Sequence, residues 1–200
     1  MSDRAVVLGL SGIPGAGKTT LTLQLRRHFA QARVVYYDRY QPLTRMSEAE
    51  VRDWFNRGGD PNEFDHSELV DELRRETRIQ PGMPPSSPVV FETPFGRLHR
   101  STGAFIDFLV WIDTPLDIAL SRAILAFTCE ALRDKTPNGA SNFIKWQRQY
   151  MTNYPLVRSM YLAQREKIAP TADLVLDGNH TPEVLAEHIR AALAARGLVT

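Results

Sequence analysis

Residues 12–19 read Gly12-Ile13-Pro14-Gly15-Ala16-Gly17-Lys18-Thr19, which satisfies the Walker A pattern G-x-x-x-x-G-K-[ST]. The apolar run at residues 5–10 before this stretch has the length and β-branched content of a buried strand. Residues 20–30 after it repeat apolar side chains at the spacing of one helix face. The order of strand, glycine loop and helix is the one this pattern needs, so the sequence predicts a phosphate loop for a nucleotide triphosphate.

The residues of this loop suit different parts of a nucleotide. Glycines allow successive backbone N–H groups to turn inward around the phosphates, and the following helix directs its positive end at them. Lys18 can reach the β- and γ-phosphates, and the Thr19 hydroxyl can ligate Mg²⁺. We therefore predict ATP and Mg²⁺ as cofactors. The predicted binding residues are Gly12, Gly15, Ala16, Gly17, Lys18, Thr19 and Thr20.

Four further apolar runs, at residues 33–37, 88–91, 108–112 and 173–176, predict strands that alternate with helical patterns. This alternation predicts the α/β fold of P-loop NTPases, a five-stranded parallel sheet with helices on both faces. With 200 residues, of which 43% are hydrophobic, the chain is expected to form one domain over residues 1–200. In the long helical pattern at residues 141–167, Pro155 is a candidate point of interruption.

Composition and charge indicate few other partners. The formal net charge of +1 gives no sign of nucleic-acid or membrane-surface binding, and no apolar stretch approaches a membrane span. Cys129 is the only cysteine, which excludes an internal disulfide, and its helical apolar context predicts a small buried core residue. Residues 1–4 run directly into the first strand and leave no room for a signal peptide, so we expect a cytoplasmic protein. Whether the chain forms a homodimer stays open at this point.

Ligands of open parallel sheets bind beyond the carboxyl ends of the strands, and polar groups follow the first three predicted strands there. These groups are the phosphate loop, Asp38 and Glu92. We expect Asp38, on the strand next to the loop strand, to be a general base, and Glu92 to bind an acceptor or Mg²⁺. The reverse assignment, with Glu92 as the base, stays open. A turn-capping role for Asp38 and a surface position for Glu92 also stay open. The basic cluster Arg97, His99 and Arg100 could bind an anionic acceptor or simply be solvated.

Four further segments carry a family resemblance: Asp38-Arg39-Tyr40, Phe64-Asp65-His66, Phe91-Glu92, and Ile112-Asp113-Thr114 with Asp117 and Arg122. Together with the phosphate loop they resemble the P-loop uridine kinase and nicotinamide riboside kinase superfamily. The resemblance implies transfer of the γ-phosphate of ATP to a hydroxyl of a nucleoside-like or other small metabolite. It also implies a helical lid around residues 122–141 that supplies Arg122, with Tyr40 and His66 at the acceptor. A purely structural role for His66 stays open.

Two other classes of protein share such a loop. A regulatory GTPase is disfavoured because no Asn-Lys-x-Asp sequence is present to bind guanine. A non-catalytic P-loop ATPase that acts as a regulatory or assembly module stays open, since fold and loop are common to both. The discriminating feature is a carboxylate-lined acceptor pocket opposite the phosphates, which a kinase requires.

Overall fold

A parallel sheet of five strands lies at the centre of the computed structural model, which describes residues 4–29, 31–40, 46–79, 87–133, 136 and 138–199. The strands are β1 (Val7–Ser11), β2 (Arg33–Tyr36), β3 (Val89–Glu92), β4 (Phe108–Asp113) and β5 (Leu174–Asp177). Their order is β2-β3-β1-β4-β5, and every neighbouring pair is parallel. The predicted five-stranded parallel sheet is therefore confirmed.

Helices cover this sheet. They are α1 (Lys18–His28), α2 (Glu48–Asn56), α3 (Ser67–Thr77), α4 (Arg100–Gly103), α5 (Leu116–Arg133), α6 (Gly139–Ile168) and α7 (Pro182–Ala195). All residues of β1 and β3 are buried, as are the first five of β4. Because successive side chains of a strand point to opposite faces, this burial means that both faces of the central sheet are covered.

The strand order corrects one expectation about the site. Asp38 was expected after the strand beside the loop strand, but β1 pairs with β3 and β4, whereas β2 pairs with β3. Glu92 therefore ends the strand next to the phosphate loop, and Asp38 follows the edge strand. The physical reason is composition: β3 is apolar enough to be buried throughout, while β2 begins with Arg33 and is only partly buried.

Helix α6 is continuous over 30 residues and contains Pro155 in its interior. The candidate interruption at Pro155 does not occur. Proline removes one intrahelical hydrogen bond, and the carbonyl it leaves free belongs to the residue four positions earlier, Met151. Met151 is exposed, so water can replace the missing donor there.

Helix α5 corrects the expectation for Cys129, which is exposed rather than buried. Ala119 and Ala123 are the buried residues of this 18-residue helix, whereas Leu125 and Leu132 are exposed. Most of α5 thus projects beyond the core, and its apolar composition does not indicate burial. Across the described ranges, no helix combines the length and apolarity that crossing a bilayer would require.

Candidate active site

The phosphate loop joins the end of β1 to the start of α1 and has a backbone that only glycine adopts easily. Gly15 and Gly17 have φ angles of +82° and +95°, in the left-handed region. A Cβ on Gly15 would also lie 2.0 Å from the carbonyl oxygen of Ala119 on α5. The loop therefore packs closely under α5 and opens towards the N-terminus of α1, where backbone N–H groups favour an anion.

Lys18, the first residue of α1, folds back over the loop. Its Nζ donates hydrogen bonds to the carbonyl oxygens of Gly12 at 2.9 Å and Ile13 at 3.2 Å. Desolvation by burial lowers the pKa of Lys18, while the charges of Glu92 and Asp38 act to raise it. The ammonium group thus lies against the loop carbonyls and interacts electrostatically with two carboxylates, so it can neutralise phosphate charge.

Glu92 lies at the carboxyl end of β3, beside the loop. Thr19 Oγ1 donates a hydrogen bond to Glu92 Oε1 at 3.0 Å, and Glu92 is 6% exposed. Burial raises the pKa of Glu92, opposed by Lys18 and by the Thr19 hydrogen bond. Within the described ranges of the chain, its buried Oε2 has no hydrogen-bond partner. The Thr19 hydroxyl and the Glu92 carboxylate fit Mg²⁺, which prefers oxygen ligands and keeps most of its coordination for water and phosphate.

These residues line a cleft of about 510 Å³ together with Asp38 and Arg122. Asp38 is exposed on the short 3₁₀ turn Tyr37–Tyr40 that follows β2. Arg122 Nη1 donates to the carbonyl oxygen of Gly178, after β5, at 3.0 Å. The structure therefore brings Lys18, Thr19, Asp38, Glu92 and Arg122 to one cleft, and its volume is within the usual range of small-molecule sites.

His66 lies outside this cleft, behind the turn that carries Asp38. Its ring centroid is 4.9 Å from that of Tyr37 and 4.5 Å from that of His99, and both histidines are buried. Desolvation lowers the pKa of both imidazoles. His66 and Arg100 border a separate opening at the start of α3.

Tyr40 is on the same short turn as Asp38 but is not among the described residues that line the cleft. The neighbouring Glu72 of α3 raises the pKa of its hydroxyl. The structure thus does not bring Tyr40, His66 and Arg100 to the phosphate loop, and a role for them at the acceptor stays a prediction.

The structure contradicts the placement of Arg97 at the acceptor. Arg97 Nη2 lies 2.6 Å from Asp173 Oδ2, and Nη1 donates to the Thr171 carbonyl at 3.0 Å. Asp173 precedes β5, so this ion pair lies at the amino end of the sheet, opposite the phosphate loop. The chain turns back after β3 through Gly96, whose φ is +52°, and a turn of this kind is not visible in the charge pattern.

An ion pair that sequence reasoning missed joins α6 to the end of β4. Arg165 Nε and Nη2 donate to the two oxygens of Asp113, each at 2.7 Å. This bidentate pair lowers the pKa of Asp113. The two residues are 52 positions apart, so no local pattern could indicate the contact.

The lid segment predicted at 122–141 comprises the end of α5 and the start of α6, while residues 134, 135 and 137 lie outside the described part of the chain. Phe127 of α5 and Trp146 of α6 are in ring contact, with centroids 4.1 Å apart. Phe127 also lines the cleft. The two helices therefore form a hairpin whose α5 arm borders the candidate nucleotide site.

Comparisons with known proteins identify the class of fold. No family model matches the chain, and no curated protein sequence matches it significantly. A shikimate kinase from Aquifex aeolicus is 17% identical, with a TM-score of 0.52 over 96% of this chain and 99% of that one. A sugar kinase from a Janibacter species, solved unliganded, is 18% identical, with a TM-score of 0.52 over 98% of this chain and 99% of that one.

A third similar structure is a shikimate kinase from Acinetobacter baumannii in complex with shikimate. It is 16% identical, with a TM-score of 0.50 over 97% of this chain and 96% of that one. These likenesses confirm the fold of P-loop kinases over almost the whole chain. They do not single out the uridine kinase and nicotinamide riboside kinase branch, which stays a resemblance carried by the sequence segments.

Proposed function

We propose that this protein transfers the γ-phosphate of ATP·Mg²⁺ to a hydroxyl group of a small molecule. The observation that carries the proposal is the Thr19 to Glu92 hydrogen bond in a cleft that Lys18, Asp38 and Arg122 also line. A nucleotide-binding module alone needs no exposed carboxylate opposite its phosphates. A kinase needs one to receive the proton of the acceptor.

On the phosphate side, positioning and charge neutralisation account for catalysis. Loop N–H groups hold the phosphates, Lys18 lies against the β- and γ-phosphates, and Arg122 neutralises charge on the transferring group. Thr19 would hold Mg²⁺ directly and Glu92 would order it, and the ion would supply further neutralisation of the phosphate oxygens.

On the acceptor side, Asp38 orients the hydroxyl and takes its proton. The acceptor oxygen forms a bond to the γ-phosphorus as the bond to the β,γ-bridging oxygen breaks, and ADP leaves with that electron pair. The position of Asp38 supports this assignment, since it is exposed on the wall of the cleft beyond the carboxyl end of β2.

The resemblance of the Asp38-Arg39-Tyr40 and Phe64-Asp65-His66 segments to uridine and nicotinamide riboside kinases supports a nucleoside-like acceptor. The shared fold of a shikimate kinase and a sugar kinase adds cyclic and sugar alcohols to the compounds worth testing.

The test is acceptor-dependent release of ADP from ATP·Mg²⁺ with nucleosides, nicotinamide riboside, sugars and cyclic alcohols. We expect at least one hydroxyl compound to stimulate ADP release, and Lys18→Ala to abolish the stimulation. Stimulation by a protein partner, with none by any hydroxyl compound, would instead establish the regulatory or assembly ATPase.

A further inference from the structure

A second cavity of about 160 Å³ adjoins the nucleotide cleft. Pro14 of the phosphate loop and Pro94, two positions after Glu92, line both spaces. The cavity lies between the segment that contains α2 and the C-terminal part of α6. Its apolar walls come chiefly from Trp54, Phe55, Phe95, Met160, Tyr161 and Ile168.

Each polar side chain in this lining makes one hydrogen bond within the protein. Their hydrogen bonds run from Trp54 Nε1 to Asp60 O, from Gln164 Nε2 to Pro94 O, from Lys167 Nζ to Gly58 O, and between the hydroxyls of Tyr161 and Tyr150. Backbone donors in the lining are similarly engaged: prolines have no N–H group, and the N–H groups of Gly58 and Gly59 donate to carbonyls of α2. A ligand in this cavity would find apolar contact and few free polar groups.

The size of the cavity suits one small ring. An apolar protein cavity of about 150 Å³ stays dry and binds benzene, and the present cavity has about 160 Å³. A polyol of the same size would bury hydroxyl groups without partners, which is unfavourable.

The cavity is also connected to the proposed base. Phe95, in its wall, makes an edge contact with Tyr37 at a centroid distance of 5.3 Å, and Tyr37 directly precedes Asp38. The packing that shapes the cavity therefore also supports the turn that carries the carboxylate.

We propose that the cavity binds the apolar body of the acceptor, a single ring or a branched alkyl group of that size, while the acceptor hydroxyl extends into the cleft towards Asp38. This inference rests on the proposed kinase function and assigns its acceptor to a class: alcohols with an apolar ring rather than polyhydroxylated compounds.

The first test compares benzyl alcohol and cyclohexylmethanol with myo-inositol and shikimate as acceptors. We expect kcat/KM for Lys18-dependent ADP formation to be at least about tenfold higher with the two apolar alcohols, a ratio that an apolar pocket can supply. Phosphorylation of the polyols alone, without binding of benzyl alcohol, would overturn the inference and leave the kinase function intact.

The second test measures binding of benzyl alcohol directly and needs no catalysis. Ala163→Leu on α6 fills part of the cavity and should weaken binding of benzyl alcohol by about tenfold or more, with ATP affinity unchanged. Ala194→Leu, at an exposed position of α7, is the matched control and should change neither affinity.

A third variant covers the case in which Ala163→Leu does not fold. Met160→Ala enlarges the cavity and should shift the preference towards a larger ring, such as 2-naphthylmethanol. The two proposals can also fail separately. If no hydroxyl compound supports Lys18-dependent ADP formation while these variants change ring binding as described, the kinase function is wrong, but the cavity is still established as a site for an apolar ring. If neither variant changes the binding of any ring compound, the inference is wrong.

Discussion

Thr19 Oγ1 lies 3.0 Å from Glu92 Oε1, and this hydrogen bond joins the phosphate loop to the end of the neighbouring strand β3. The contact places an anionic oxygen next to the hydroxyl that would ligate Mg²⁺. Glu92→Gln keeps the shape and removes the charge. We expect this variant to raise the Mg²⁺ concentration needed for half-maximal activity by about tenfold or more, because the carboxylate that would order the phosphate-bound Mg²⁺ is lost. Titration of ADP release with Mg²⁺ measures the effect, with the exposed Glu183→Gln as control.

Lys18→Ala should reduce kcat/KM by at least about 100-fold and weaken ATP binding, because the ammonium group neutralises phosphate charge in the cleft. The unfolding midpoint should change little, since the bonds that Lys18 makes are to loop carbonyls. Lys145→Ala, on the exposed surface of α6, is the control. Normal turnover in Lys18→Ala would remove the central proposal.

Asp38→Asn should lower turnover by about 10²- to 10⁴-fold, the usual effect of losing a general base, while ATP affinity changes little. Single-turnover kinetics with saturating ATP and acceptor would measure the chemical step. Asp71→Asn, on the exposed face of α3, should leave turnover unchanged. If Asp38→Asn is nearly normal while Glu92→Gln is severely impaired in turnover, the base belongs at the end of β3.

The α5 to α6 hairpin should become protected when ligands bind. Arg122 and Phe127 line the cleft, and α5 buries few residues against the core, so its amides are expected to exchange readily in the free protein. Closure over ATP and acceptor excludes water from the transfer. Hydrogen exchange in residues 122–133 and 138–141 should therefore slow with both ligands present, relative to α7. Equal exchange with and without ligands would leave Arg122 without a role as a lid residue.

The buried histidine pair predicts a specific pH dependence of stability. Burial lowers the pKa of His66 and His99 from 6.5, although the Phe64 carbonyl opposes this for both rings, as Asp65 does for His66 and Asp60 for His99. Below about pH 6.5 the unfolded chain therefore binds more protons than the folded protein. The contribution of the two neutral histidines to the free energy of unfolding is fully present above that pH and is lost as the pH decreases. Chemical denaturation between pH 8 and pH 5 should show a smaller decrease for the double variant His66→Gln/His99→Gln. The exposed His188→Gln should behave like the original protein.

Element boundaries predicted from the sequence agree with the structure to within a few residues where the pattern is local. Ser47 caps α2 with a reciprocal bond to Glu50, and Thr181 caps α7, both from local side-chain to backbone geometry. Cys129 and Pro155 are the counterexamples. Whether a helix face meets the core, and whether water can satisfy the carbonyl that a proline leaves free, depends on the surroundings of the helix rather than on its own sequence.

Some residues of the candidate site are likewise placed by local sequence, and others by contacts between distant parts of the chain. Lys18 and Thr19 are placed by the loop itself, and Asp38 and Glu92 by their positions at strand ends, so a sequence pattern predicted their convergence. Arg97 could not be placed, because its partner Asp173 is 76 residues away and the intervening turn reverses its direction.

The sequence by itself determined the phosphate loop and the parallel α/β fold, because glycine conformation, helix N-termini and apolar periodicity act within a few residues of the chain. Only the tertiary structure decided that β3 separates β2 from β1, that Arg97 lies at the opposite end of the sheet, and that an apolar cavity opens between α2 and α6. Each of these depends on burial and contacts between residues far apart in the chain, where packing of the whole core selects one arrangement among many that the local sequence permits.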